Sequence, residues 1–335
     1  MCTLIVLHRC VPGRPLVVAA NRDEFYARPA EGPAVRDARR GRVLAPRDLE
    51  AGGTWLGLSE RGVFAGLTNL RPAAPSGSGM LGGDAGRRAA SAGATTLRSR
   101  GEVVMSALEA RSAAEASEAL ARLEPGVHNP FQLLVADGQD AALVVYRDGP
   151  RVVALEPGIH VVGNVEDECA ARTSDRPRGP GPADASSPTG SANEGWTKPY
   201  PGFEGIDGLD DAEEPRAQKL VRIRGRVEKL LTEPRRDLFE GLARICREHV
   251  EEDGPREPGV ESSPRSPFES TCVHVADRYG TRSSLLLELA EELPASRLWT
   301  TDGPPCRRPF ENRSSLLWDL GIAPRTRVGT ETMRG

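Results

Sequence analysis

MCTLIVLHRCVPGRPLVVAANRDEF, residues 1–25, is the stretch from which the rest of the chain is read. Two runs rich in Val, Leu and Ile, Thr3–Arg9 and Pro15–Ala20, flank Val11-Pro12-Gly13-Arg14. Short β-forming runs around a Pro-Gly turn predict an antiparallel hairpin. A turn centred between Pro12 and Gly13 pairs Cys2 with Asp23. A turn centred on Gly13 pairs Cys2 with Glu24. Either register brings Asn21-Arg22-Asp23-Glu24 beside Cys2.

That juxtaposition carries chemistry. Cys2 follows the initiator Met, and removal of Met1 is expected to leave a thiol and a free α-amine on one residue. Such a residue is its own nucleophile and base, because an α-amine titrates near about 7.7–8.0. A carboxylate across the hairpin can orient the amine, and a neighbouring guanidinium favours the thiolate.

Further hairpins are predicted outward along the chain. They are Thr54–Leu58 with Val63–Asn69, Phe131–Ala136 with Ala141–Tyr146, and Arg151–Leu155 with Ile159–Asn164. Late strands are expected at Thr271–Ala276, Thr281–Leu287 and Arg297–Thr301. Helices are expected over Gly101–Leu123, with Arg87–Arg98 before it, and over Arg216–Leu231 and Arg235–Val250. In the Arg216–Leu231 helix, Ala217, Leu220, Val221, Ile223, Val227, Leu230 and Leu231 form the apolar face. Runs of strands alternating with helix pairs, without a β-α-β rhythm, point to packed antiparallel sheets covered by helices. Residues 174–212 and 251–267 are poor in aliphatics and read as a solvated insertion and an acidic, Pro-rich loop within a single domain spanning 1–335.

Composition narrows the function. The 44 Lys and Arg against 48 Asp and Glu leave a net charge of −4, unlike the basic domains of nucleic-acid binders. No apolar run approaches the roughly 20 residues of a membrane helix, and no signal-peptide pattern opens the chain. The expected setting is therefore cytoplasmic, with no stable membrane insertion. The 36 Gly and 28 Pro exclude a coiled coil or a plain helical bundle. None of the six cysteines lies in a C-x-x-C pair, and most are expected to be free, buried thiols. The five histidines lack metal-ligand spacing along the chain, so neither a metal nor another cofactor is expected.

The Met-Cys start and Asn21-Arg22-Asp23-Glu24 resemble the NRDE family, also called the transport and Golgi organisation protein 2 family. The resemblance continues, in order, through Gly52-Gly53-Thr54-Trp55-Leu56-Gly57, Gly66-Leu67-Thr68-Asn69, Asn129-Pro130-Phe131-Gln132-Leu133-Leu134, Gly158-Ile159-His160 with Asn164, and Tyr279-Gly280-Thr281-Arg282-Ser283-Ser284. That family is similar to the N-terminal nucleophile (Ntn) hydrolases. The resemblance implies an α+β fold, a four-layer αββα sandwich of antiparallel sheets. It matches Cys2 to the nucleophile, Asp23 to an aspartate, Asn69 and Asn164 to two asparagines, and Arg282 to a late arginine. Arg22 stands one residue before the aspartate, where the related cysteine acylases place an arginine three before, and this shift of two keeps the strand face. The implied function is hydrolysis of a linear amide C–N bond through an acyl-enzyme. The alternative is a non-catalytic carrier or trafficking factor on a hydrolase-like scaffold. The partner is accordingly a small-molecule amide or a lipid- or haem-like ligand, and not nucleic acid.

Overall fold

A computed structural model describes residues 2–70, 97–165, 213–233, 237–250, 266–292 and 295–322. The expected Met1 removal, nearly all of the Arg87–Arg98 helix, the whole 174–212 insertion and most of the 251–267 loop lie outside these residues. Of that loop, Ser266 and Pro267 are described, where Ser266 caps a 3-10 turn at Pro267–Glu269.

Fourteen strands form two antiparallel sheets among the described residues. The first is built from β1 (Cys2–Val11), β2 (Arg14–Phe25), β10 (Gly158–Val162), β11 (His274–Val275), β12 (Tyr279–Leu289), β13 (Arg297–Asp302) and β14 (Glu311–Asn312). Its order is β10-β1-β2-β12-β13-β14, with β11 pairing to β12. The second runs in sequence order through β3 (Ala30–Ala38), β4 (Gly41–Asp48), β5 (Leu56–Ser59), β6 (Phe64–Asn69), β7 (Phe131–Ala136), β8 (Ala141–Tyr146) and β9 (Pro150–Ala154).

Strand alternation sorts the apolar residues into layers. Leu4, Val6, Leu16, Val18, Leu134, Leu143, Leu285 and Leu287 fill the space between the sheets. Ile5, Leu7, Val17 and Ala19, on the opposite face of β1 and β2, pack under α3 (Glu213–Leu231) and α4 (Leu238–Arg247). Ala65, Leu67, Leu133 and Val144 of the second sheet pack under α1 (Arg100–Leu108) and α2 (Ala113–Leu120). A short α5 (Ser315–Leu320) contributes Leu317 and Leu320 to the inter-sheet core. The result is the four-layer αββα sandwich. Strands β5, β7 and β8 are buried along their whole length because each is covered on both faces, which explains their mostly apolar sequences, with Ser59 and Gln132 the buried polar exceptions.

Several sequence expectations change. Arg151–Leu155 and Ile159–Asn164 do not form a hairpin. β9 joins β8 in one sheet, whereas β10 crosses to pair with β1 in the other. Strands β3 and β4 were not expected, since their Arg-, Asp- and Gly-rich sequences hide the alternation. The Gly101–Leu123 helix is two helices. Ser112 accepts from the Glu115 N–H at 3.2 Å, and the Glu115 carboxylate accepts from the Arg111 N–H at 2.8 Å, so the second helix has its own start. In α3 the buried stripe is Arg216, Lys219, Leu220, Ile223, Val227 and Leu230, whereas Val221 is 73% exposed.

Candidate active site

The first hairpin begins as expected and then slips. Val11 pairs with Arg14, the register of a turn centred between Pro12 and Gly13. A bulge follows between Val11 and His8, where Arg9 adopts φ +49°. Beyond it the partners are Cys2 with Arg22 and Thr3 with Asn21, so neither Asp23 nor Glu24 stands directly opposite Cys2. A one-residue slip exchanges the faces of a strand. Directly opposed residues share a face, so Cys2 and Arg22 lie on the side of Leu4 and Ala20, toward the other sheet. Asn21 and Asp23 lie on the side of Ile5 and Ala19, toward the helices. The four-residue polar run is thus divided between two environments.

Arg22 is 5% exposed. Its guanidinium stacks 4.1 Å over the Trp55 ring and stands 3.6 Å from the Asp48 carboxylate. Asp48 is shared with Arg28 at 2.7 Å. Burial pulls the Arg22 pKa down, while the negative forms of Cys2, Glu24 and Asp48 hold it up. Burial pushes the Cys2 thiol up; Asp23 adds to this and Arg22 opposes it. Cys2 is half-buried. Arg22 also lines a cavity of about 370 Å³ with Trp55, Arg282, Ser284, Thr301 and Arg313, and Cys2 is not among its lining residues.

On the helix side Asp23 is almost fully buried and accepts from the Thr281 hydroxyl at 2.7 Å. Burial raises its pKa, and the buried Lys219 ammonium of α3 lowers it. Asn21 donates to the carbonyls of Cys246 and Thr271 at 2.9 and 2.8 Å, tying β2 to the end of α4 and to the approach to β11.

The two asparagines meet at the same end of the sandwich. Leu4 pairs with Val162, the last residue of β10, and Asn164 follows two residues beyond that end of the ladder. The Asn164 Nδ2 donates to the Asn69 carbonyl oxygen at 2.6 Å, bridging the two sheets. Gln132 reinforces the bridge by donating to the carbonyls of Gly163 and Val165 at 2.9 and 3.0 Å. The approach is close because Gly66 lies under Leu4; a Cβ there would come within 2.9 Å of the Leu4 Cδ1. Arg282, the extra residue of a bulge in β12, donates through Nη1 to the carbonyls of Phe25, Tyr26 and Arg28 at 3.0, 2.5 and 2.9 Å. It holds the chain leaving the polar run and also lines the Arg22 cavity.

Three contributors were not singled out from the sequence. Lys219 was legible as a cation at a buried helix position, had the stripe been drawn through it. Asp48 carried no signal. Trp55 packs against the inter-sheet core, and its ring also lies under Arg22. The five described cysteines are free, as expected, but only Cys246 and Cys272 among them are buried. The view of the histidines as scattered holds only along the chain. In space, one ligand atom each from His249, Cys272, His274 and Cys306 lies within 4.8 Å of the others. Burial, followed by repulsion from Cys306, pushes the Cys272 thiol up to about 12.

An αββα sandwich with a cysteine near its start, paired across a strand to a buried arginine, defines the class of protein. The family model for Transport and Golgi organisation 2 matches residues 1–293, and the chain belongs to that family. It is 32% identical over 160 residues to the human Transport and Golgi organization protein 2 homolog, covering 44% of this chain and 50% of that protein. The Bos taurus homolog is 33% identical over 158 residues, again covering 44% and 50%. The chain thus aligns with about half the length of these relatives. A variant of the conjugated bile acid hydrolase of Clostridium perfringens is similar at 13% identity, over 93% of this chain and 96% of that one, with a TM-score of 0.47. The Caenorhabditis elegans N-acylethanolamine-hydrolyzing acid amidase ortholog is similar at 13% identity, over 52% and 74%, with a TM-score of 0.35. The fold assignment stands on the sheets and helices themselves. No helix among the described residues is long and apolar enough to cross a membrane.

Proposed function

We propose that the chain is an N-terminal cysteine hydrolase that cleaves a linear amide C–N bond through an acyl-enzyme. The observation that carries this reading is the pairing of Cys2 with Arg22 in the strand register. With Met1 removed, the Cys2 amine takes the thiol proton and the sulfur attacks the amide carbon. The developing oxyanion is held by side-chain N–H groups of Asn69 and Asn164. One N–H of Asn164 is engaged with the Asn69 carbonyl, and an amide nitrogen carries two. Each such donor is worth about 3–4 kcal/mol in known enzymes. The C–N bond breaks, the amine leaves with the relayed proton, and water attacks the thioester to release the acid and restore the thiol. Arg22 favours the thiolate. Asp23 stands across the strand as an electrostatic neighbour rather than a partner on the same face, and Arg282 positions the turn beyond it.

Labelling with an acyl electrophile followed by peptide mapping tests the reading. Modification at the Cys2 amine–thiol residue, lost in Cys2→Ala, is the expected result. Retention of Met1 in protein purified from its own host would overturn it. A second reading, a carrier of a lipid- or haem-like anion, draws on the Arg22–Trp55–Arg282–Arg313 cavity, which Cys2 does not line. Ligand binding that survives Cys2→Ala, in protein that resists the electrophile, would favour the carrier.

A further inference from the structure

Four side chains outside the Cys2 region converge from three separate stretches of chain. His249 lies two residues past the end of α4, Cys272 and His274 stand at i and i+2 on the approach to and in β11, and Cys306 lies in the turn after β13. Residues two apart in extended chain share a side, so Cys272 and His274 face the same point. The His274 Nε2 is 3.7 Å from the Cys272 Sγ and 3.2 Å from the Cys306 Sγ. The His249 and His274 rings lie 5.3 Å apart between centroids.

These separations suit a metal. Zinc bonds of about 2.3 Å to sulfur and 2.0–2.1 Å to nitrogen, arranged tetrahedrally, set donors about 3.3–3.8 Å apart. The widest of the present separations stays within 4.8 Å, so modest side-chain rotation closes the set. Two thiols and two imidazoles, with no carboxylate, select a borderline-soft ion over magnesium or calcium. The surroundings are also built for ligation. The Tyr26 hydroxyl is 3.2 Å from the His274 Nδ1, which leaves Nε2 turned to the two sulfurs. A Cβ on Gly280 would collide with that hydroxyl and with the Val273 carbonyl, so glycine there keeps the path open. The Cys272 N–H donates to the Glu248 carbonyl at 3.0 Å, fixing His249 beside Cys272. The Thr281 N–H donates to the Val273 carbonyl at 2.8 Å, setting the β11 register.

We propose that His249, Cys272, His274 and Cys306 form a tetrahedral Cys2His2 site for one zinc-class divalent ion, which clamps α4, β11 and the turn after β13 together. Four protein ligands close the coordination shell, so the role is structural, and the site is independent of the proposed chemistry at Cys2. Binding is not a redox step. Both thiols lose their protons to solvent, and the ion takes the two thiolates and two neutral imidazoles.

The test uses the full chain, purified without chelator under anaerobic, reducing conditions. One zinc per chain by elemental analysis is expected, with a melting temperature that falls by several degrees when a chelator removes it. Replacement by Co2+ is expected to give the intense visible bands of tetrahedral coordination and a sulfur-to-metal charge-transfer band. Cys306→Ser and His249→Ala lie at half-buried and exposed positions and should lose the stoichiometric metal while remaining folded. Tyr26→Phe should weaken zinc affinity about tenfold, as for other groups that orient a ligating histidine. Protein that takes up neither zinc nor Co2+, whether its thiols stay free or join as a Cys272–Cys306 disulfide, overturns the site. Octahedral Co2+ spectra overturn it as well, as does full zinc retention in a Cys306→Ser, His249→Ala double variant.

Discussion

The two faces of strand β2 treat charge differently. On the inner face Arg22 meets an aromatic ring, a carboxylate and a thiol, and borders a cavity. On the outer face Asp23 is sealed beneath α3 with Thr281 and Lys219, and Asn21 is consumed by two backbone carbonyls. Neighbouring residues in one short polar run therefore have opposite tasks. The inner side keeps a cation beside a half-buried thiol and open space. The outer side uses polar groups to lock a sheet to its helices. A buried charge is tolerated when partners are fixed around it, and the two faces supply those partners from different parts of the chain.

The sharpest attempt to break this comparison is Cys2→Ala. Electrophile labelling should fall to background while the melting temperature stays within a degree or two, because the small inner-face side chain carries little packing. Labelling that persists at Cys10 or Cys272 would move the reactive thiol off the inner face.

Removing the outer-face cation comes next. Lys219→Met removes the buried cation that offsets the burial of the Asp23 carboxylate, and leaving that charge less compensated should cost about 1–3 kcal/mol. Chemical denaturation measures this. Adding Asp23→Asn should restore much of the loss, and a double variant as unstable as the sum of the two singles would show that the charges are not coupled.

Arg22→Met should act on reactivity more than on stability. Arg22 lowers the Cys2 thiol pKa against the effect of burial, so its removal should move the pH–labelling profile of Cys2 to higher pH. An unchanged profile would detach Arg22 from the thiol.

The smallest expected effect is at Asp48, beneath Arg22. Burial raises its pKa, but the hydrogen bond from Arg28 and those from the Ala51 and Glu50 N–H groups outweigh it, and the carboxyl is held below its usual value. Its folded-state pKa is depressed, so its stabilisation is present at neutral pH and lost as pH falls through the folded-state value. Asp48→Asn should lower stability at pH 7 by about 1–2 kcal/mol and remove that part of the acid-induced loss. A variant with the wild-type acid limb would show that the ion pair contributes nothing measurable.

Much of this architecture is present in local sequence. Phe131–Ala136 and Ala141–Tyr146 were legible to the residue, because a strand buried on both faces is largely apolar, and the one polar exception, Gln132, is satisfied by backbone carbonyls. The Pro12-Gly13 turn and the ordered family segments led to the sandwich and to Cys2, Arg22, Asp23, Asn69, Asn164 and Arg282. The crossing of β10 to the first sheet was not legible, since hairpin signals report neighbours in sequence and not partners in space. Nor was Lys219 as the cation acting on Asp23, because the two are separated by nearly two hundred residues.

The sequence by itself determined the composition of each layer and the polar run at the end of the second strand, because apolar periodicity and turn chemistry act over a few residues. Tertiary structure alone decided which face each polar residue occupies. One bulge at Arg9 set Cys2 against Arg22 instead of Asp23. Likewise, only the packing of α4, β11 and the turn after β13 brought His249 and Cys306 to the Cys272–His274 pair. Register and long-range approach are collective outcomes of burying two sheets against each other, and they are not written in any short stretch of chain.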